Sequence, residues 1–140
     1  MFAKMKEKLA GGAKRMQGRT DLLEAVCAAC ALVAAADGTV DDSELEATVK
    51  SVTANENLRV AFKPNEIEIC IDKMLQRANG GRVGRMNLMK ELSDIPQEDG
   101  EMVLLSALDV AEADGNIDDD EMAVIDKIAA VYGLKAASYV

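Results

Sequence analysis

Apolar side chains recur every three or four residues along most of the chain, the spacing of one face of an α-helix. No segment shows the sustained alternation of apolar and polar residues that predicts a β-strand. Capping and stop signals divide the pattern into seven predicted segments: 21–37, 42–53, 55–62 (a short helix or turn), 64–78, 82–92, 96–114 and 119–132. We therefore expect an all-α bundle of about seven helices.

The first predicted helix is the best candidate for the centre of the core. Residues 28–36 are almost wholly small and apolar, so other helices can approach from several sides, and Asp21 with Glu24 predicts a capping box at its start. Cys27 and Cys30 form a C-x-x-C on its apolar face, without the preceding strand, Pro or Trp that accompany redox motifs. We interpret both as small buried thiols. An odd total of three cysteines does not indicate a disulfide framework.

The N-terminal residues 1–20 differ from the predicted helical domain, residues 21–140. They carry an apolar stripe at helical spacing with lysines opposite it, made of Phe2, Met5, Leu9, Ala13 and Met16. Two interpretations stay open. The segment is a helix docked on the core or a frayed terminus, or residues 1–19 form a basic amphipathic helix that contacts a membrane surface or an acidic partner.

The charge distribution narrows the classes of partner. The formal net charge is -9, and no Lys or Arg occurs between Glu91 and Asp126. This argues against a nucleic-acid-binding module, which needs a basic face, and suits a cation or a basic partner surface. No apolar run approaches the roughly 18 residues of a membrane-spanning helix, and no signal peptide is evident, so we expect a cytoplasmic protein.

An acidic motif occurs twice, at one constant offset. Ala36-Asp37-Gly38-Thr39-Val40-Asp41-Asp42-Ser43-Glu44-Leu45 aligns without a gap with Ala113-Asp114-Gly115-Asn116-Ile117-Asp118-Asp119-Asp120-Glu121-Met122. Each copy joins a long apolar helix to an amphipathic one. We therefore expect two repeated helical hairpins, related by a pseudo-twofold axis.

Turn and capping chemistry explains most of this motif. A glycine at Gly38 and Gly115 can close a helix in the left-handed conformation. Asp41 with Glu44, and Asp118 with Glu121, have the spacing of capping boxes. Asp37 and Asp114 are not explained in this way, because each is predicted at a helix C-terminus, where a carboxylate faces the negative end of the helix dipole.

Asp37 and Asp114, which capping does not explain, suggest that the motif binds a cation. The motif matches the second half of an EF-hand calcium loop, but the first half is missing, so neither copy alone can encircle calcium. If the two turns meet, Asp37, Glu44, Asp114 and Glu121 can converge, with Asp41 and Asp118 beside them. Such a cluster of hard oxygen ligands would suit calcium, magnesium or manganese. Capping alone remains the other interpretation, and no organic cofactor is indicated.

Little in the sequence indicates an enzyme. The chain has no His, no phosphate-binding Gly-x-x-x-x-Gly-Lys and no Ser or Cys beside a plausible partner. The glycine-rich, basic residues 80–85 lack a preceding strand, and we interpret them as a turn between helices rather than an anion site. A metal-dependent hydrolase that uses the four carboxylates is the remaining enzymatic alternative.

The doubled motif resembles the TerB tellurite-resistance proteins. The resemblance runs from about residue 21 to residue 134 and rests on residues 23–27 leading into 35–38, and on residues 111–121. It implies a small cytosolic protein, bacterial or phage-borne, with an internally duplicated helical fold. It also implies an acidic site for a divalent metal at Asp37, Glu44, Asp114 and Glu121, and a role in tellurite resistance, chemical-stress resistance or phage defence beside a TerC-type membrane protein.

Two functions from different classes follow. In the first, the chain is a non-enzymatic metal-binding adaptor in a stress-response complex at the membrane. Alternatively, it is a scaffold whose acidic face docks a basic partner without metal, the turns being structural only.

Overall fold

The fold is all-α, as the periodicity predicts. The computed structural model describes residues 17–113 and 115–139, and within them the chain forms seven α-helices and no strand. The helices are α1 (Thr20–Ala34), α2 (Asp42–Thr53), α3 (Glu56–Ala61), α4 (Pro64–Asn79), α5 (Arg82–Ser93), α6 (Gly100–Ala113) and α7 (Asp119–Val131). Two short 3₁₀ helices, Gln97–Asp99 and Ala136–Ser138, complete the described elements.

Helix α1 lies at the centre of the bundle, as its run of small residues predicts. It packs most extensively against α4 and then against α6 and α5. Every residue from Leu22 to Val33 is buried except Glu24, so α1 has no solvent-facing side over this length. Its alanines allow the close approach of helices on several sides. The core is therefore built around α1 by aliphatic side chains.

The start of α1 differs from the prediction. The helix begins at Thr20 with Arg19 as its N-cap, and no side chain caps it, so the predicted capping box of Asp21 and Glu24 is wrong. Arg19 instead pairs with Asp21 at 2.9 Å and with the buried Asp99 at 3.2 Å. The hydrogen bond from Arg19 keeps the pKa of the Asp21 carboxyl below its usual value. An ion pair that also reaches the segment before α6 replaces the local cap.

The sixth predicted helix also begins later than its sequence suggests. Pro96 opens the 3₁₀ turn Gln97–Asp99, and α6 follows from Gly100. The Gln97 side chain donates to the carbonyl oxygen of Tyr132 at 2.9 Å, and the Tyr132 hydroxyl donates to the carbonyl oxygen of Leu92 at 2.6 Å. These two bonds tie the end of α7 to the connection between α5 and α6.

Of the glycine-rich residues 80–85, Gly80 and Gly81 form a turn between α4 and α5, and residues 82–85 form the first turn of α5, so the predicted turn is shorter than expected. Gly81 precedes α5 with a φ of 97°, and Gly84 lies in the first turn of α5. A Cβ atom at Gly84 would stand 1.9 Å from the carbonyl oxygen of Arg77. Glycine is thus required here because the backbones of α4 and α5 nearly touch.

No helix in the described ranges is long and apolar enough to cross a membrane. The predicted amphipathic stripe of the N-terminal segment falls in residues 1–16 and lies outside the described residues.

Candidate functional site

The first acidic turn connects α1 to α2. The sequence predicts that Asp37 is the last residue of the helix. Helix α1 ends at Ala34, however, so Asp37 lies beyond it. The Asp37 carboxylate accepts a hydrogen bond from the Thr39 backbone N–H at 3.2 Å. This bond is the local turn that Asp side chains commonly form. Asp37 therefore has a structural role that the pattern did not reveal, and its conflict with the helix dipole is smaller than predicted.

Both turns reverse at a glycine whose conformation other residues rarely adopt. The φ angles of Gly38 and Gly115 are 103° and 115°. Nothing lies within 4 Å of the position of a Cβ atom at either residue, so the backbone angle and not crowding requires glycine. The two copies of the motif therefore use their glycines for the same backbone geometry.

The two predicted capping boxes are confirmed. Asp41 accepts from the Glu44 N–H at 2.8 Å, and Glu44 Oε1 accepts from the Asp41 N–H at 3.2 Å. Asp118 and Glu121 repeat this arrangement at 2.8 and 3.1 Å. In each box, the glutamate Oε1 atom accepts the hydrogen bond of the N-cap residue.

The two turns meet at one acidic cleft. We define the acidic cleft as a cavity of about 230 Å³ with an apolar wall from residues 33, 34 and 36 and an acidic wall from both copies of the motif. The acidic wall consists of Asp37, Glu44, Asp118, Asp120 and Glu121. Among the described residues, no Lys or Arg lines it. Four of these five acids are exposed, and Glu121 is half-buried.

The predicted metal ligands are distributed unequally with respect to this cleft. Asp37, Glu44, Asp118 and Glu121 line it, whereas Asp41 does not. The Asp41 carboxylate instead accepts from the Glu44 N–H and from the Ser43 hydroxyl, and these bonds lower its pKa. Asp114 lies outside the described residues.

Asp120 lines the cleft although the motif comparison did not select it, because its partner in the first copy is Ser43. The only signal for it in the sequence was the unusual density of acids in residues 118–121.

The donor chemistry of the cleft fits a hard cation, since carboxylate oxygens are the ligands of calcium, magnesium and manganese. The described side chains are not arranged as a ready-formed site, however. In residues 17–113 and 115–139, no group of three or more His, Cys, Asp or Glu side chains converges closely enough to hold a metal ion. A cation would have to draw these carboxylates together.

The first turn is also held by the α4–α5 hairpin. Asn79, the last residue of α4, accepts a hydrogen bond from the Val40 N–H at 3.2 Å. The Arg85 guanidinium donates to the carbonyl oxygens of Gly38 at 3.2 Å and Ala78 at 3.4 Å. The sequence did not identify either residue as part of the site, because both are far from the motif along the chain.

A second cavity adjoins the cleft and shares Ala36 and Asp37 with it. This neighbouring groove has a volume of about 430 Å³ and an apolar lining that includes Leu32, Met86 and Met89. Unlike the acidic cleft, it contains cationic side chains, those of Arg82, Arg85 and Lys127. Asp37 thus stands between an acidic cavity and a largely apolar cavity with basic residues.

Comparisons with known proteins agree with the resemblance seen in the motif. The family model described as "Tellurite resistance protein TerB" matches residues 23–140, nearly the whole chain. Searches of curated proteins and of solved structures found no match. The matched range includes both acidic turns and all helices from the first turn of α1 onward. The chain therefore belongs to the TerB family of tellurite-resistance proteins.

Proposed function

We propose that this chain is a non-enzymatic tellurite- and stress-resistance protein whose acidic cleft binds a divalent cation. The proposal extends to an adaptor role in a membrane-associated stress or phage-defence complex. The observation that carries it is the meeting of carboxylates from both motif copies around one cavity, with no cationic side chain among the described residues that line it.

The geometry of the caps supports cation binding at this place. The capping boxes fix the backbone of each turn, and the cap of Glu44 uses only Oε1. The second carboxylate oxygen of Glu44 can then reorient toward an ion without unfolding its helix. Calcium tolerates the irregular, multidentate coordination that such side chains offer, while magnesium demands near-ideal octahedral geometry. We therefore expect calcium or manganese to bind more tightly than magnesium.

The adaptor role is supported by the neighbouring groove. Val83 and Met86, on α5, are 70% and 56% exposed, and Met86 lines the groove beside the three cationic side chains. Large apolar side chains at the surface next to fixed charges are typical of a protein interface. A TerC-type membrane protein is the partner we propose. Because Asp37 borders both cavities, a cation in the cleft would change the charge that the partner meets.

Titration of the purified full chain with calcium, magnesium and manganese, followed by amide NMR spectra, tests the cation site. We expect saturable shifts with calcium, and selective line broadening with manganese, at Gly38 and Gly115 together. Asp120→Asn should weaken binding several-fold. Asp119→Asn is the matched control, because it removes the same charge from the same helix turn at a residue that does not line the cleft.

The absence of any saturable response at Gly38 and Gly115 up to millimolar metal would overturn the cation site. Equal weakening by Asp119→Asn and Asp120→Asn would also contradict it, because general acidity rather than the cleft would then account for binding. A salt-sensitive response to a lysine-rich peptide, without any response to metal, would favour the scaffold that docks a basic partner.

A further inference from the structure

Cys70, on α4, lies across the packed α1–α4 interface from the first half of α1. Its Sγ atom is 3.9 Å from the carbonyl oxygen of Leu23. In an α-helix that carbonyl accepts the N–H of Cys27, and the side chain of Cys27 tilts toward the N-terminus over the same turn. This geometry places the Cys27 and Cys70 thiols beside one another at the α1–α4 interface, and the ionisation of each thiol affects the other.

The two thiols have opposite tendencies to ionise. The interaction with Cys27 and, to a smaller extent, the charge of Lys73 lower the pKa of Cys70 against the opposing effect of its burial. The interaction with Cys70, together with complete burial, raises the pKa of Cys27. Cys70 is also the more accessible of the two, with 7% of its surface exposed against 0% for Cys27. Of the two thiols, Cys70 is therefore the one that reacts more readily with an oxidant.

We propose that Cys27 and Cys70 form a redox-active dithiol, which a hydroperoxide oxidises to a disulfide that joins α1 to α4. This site is separate from the acidic cleft and does not depend on cation binding.

The reaction uses one hydroperoxide molecule for each pair of thiols. With hydrogen peroxide, the Cys70 thiolate attacks one peroxide oxygen, so that an S–O bond forms, the O–O bond breaks, and the leaving hydroxide takes up a proton as water; an organic hydroperoxide gives an alcohol at this step instead. The Cys27 sulfur then attacks the Cys70 sulfenic acid. An S–S bond forms, and the hydroxyl group leaves with the Cys27 proton as a second water. The two thiols together lose two electrons, and the peroxide gains them.

The pairing differs from the C-x-x-C spacing that the sequence displays. Cys30 lines a small cavity of about 30 Å³ with Thr48, Ala107 and Val110, and therefore faces α2 and α6. Burial, with Asp109 nearby, raises the pKa of the Cys30 thiol to about 12. Cys30 is consequently the matched control, since it is a buried cysteine on the same helix that faces α2 and α6, and its pKa is raised chiefly by burial.

Treatment of the full chain with hydrogen peroxide, followed by alkylation and peptide mass spectrometry, tests the proposal. We expect the loss of two hydrogen atoms, a fall from three free thiols to one, and a cross-linked peptide pair containing Cys27 and Cys70. Cys30→Ser should form the same link at the same rate. Cys70→Ser should form none, and Cys70→Ala provides a second variant if serine disturbs the interface.

Circular dichroism of each variant establishes that it is folded before oxidation. A Cys27–Cys30 link in the folded wild-type chain would overturn the proposal, because it would show that the motif spacing and not the helix interface selects the pair. Three free thiols after prolonged exposure to peroxide, or over-oxidation of Cys70 without a link, would overturn it equally.

Discussion

The two acidic turns have nearly the same sequence and the same capping geometry, but their surroundings differ. In the first turn, Val40 is buried, and the Val40 N–H and the Gly38 carbonyl are held by Asn79 and Arg85 of the α4–α5 hairpin. In the second turn, Ile117 is only half-buried. Within the described residues 115–118, the backbone has hydrogen bonds only to α6 and α7, the two helices that the turn connects, and none to any other described helix.

This difference shows that a local motif determines its own caps but not how firmly it is held. The Gly conformations and the capping boxes are repeated because each depends on contacts within a few residues. The contacts of Asn79 and Arg85 exist only because the α4–α5 hairpin lies beside the first turn. We infer that the first turn is the fixed wall of the acidic cleft and that the second is the wall that a cation would move.

Truncation of the apolar residue in each turn should have the largest effect on the comparison. Val40→Ala should reduce the free energy of unfolding by about 2 kcal/mol, because it leaves a cavity at a fully packed position. Ile117→Ala removes a larger side chain, but should cost only about 1 kcal/mol, since its site is half-exposed and can relax. Urea denaturation of both variants measures the difference. An equal or greater loss for Ile117→Ala would show that the second turn is held as firmly as the first.

Loss of the Asn79 side chain should have an intermediate effect. Asn79→Ala removes the acceptor of the Val40 N–H and should reduce the free energy of unfolding by about 1 kcal/mol. It should also increase hydrogen exchange at Val40 while leaving Ile117 unchanged. Asn87→Ala, at an exposed position within α5, is the control and should be nearly neutral. If Asn79→Ala leaves exchange at Val40 unaltered, the hairpin does not hold the first turn.

The smallest effect is expected from the acidic wall itself. Without divalent cations and at low salt, Asp120→Asn should be more stable than Asp119→Asn by less than about 0.5 kcal/mol. Both variants lose the same favourable interaction with the helix N-terminus, but only Asp120→Asn reduces repulsion among the cleft carboxylates. Thermal unfolding of the pair measures the difference, which molar salt should abolish. A lower stability for Asp120→Asn would contradict carboxylate repulsion in the cleft.

The local features of this protein could be predicted from its sequence. Helical periodicity, the run of small residues in α1, the spacing of Asp41 with Glu44 and of Asp118 with Glu121, and the two turn glycines all act over one or two helical turns. The caps, the turn glycines and the buried run lie where the pattern placed them, and the predicted helices differ from the observed ones mainly at the end of α1 and the start of α6. The prediction for Asp21 and Glu24 failed because Arg19 found a partner in Asp99, far along the chain, and a distant ion pair replaced a local cap.

Contacts between distant segments were decided by the tertiary structure alone. No spacing rule brings Asn79 to Val40, Arg85 to Gly38 or Cys70 to Cys27, because these pairs meet only where helices pack. The same packing excludes Asp41 from the acidic cleft and includes Asp120. Sequence periodicity specifies which face of each helix is buried, whereas the side chains that become neighbours depend on how the helices cross. The turns and caps of the cleft, and four of the five acids in its wall, were therefore present in the sequence, whereas the exclusion of Asp41 and the inclusion of Asp120 were not.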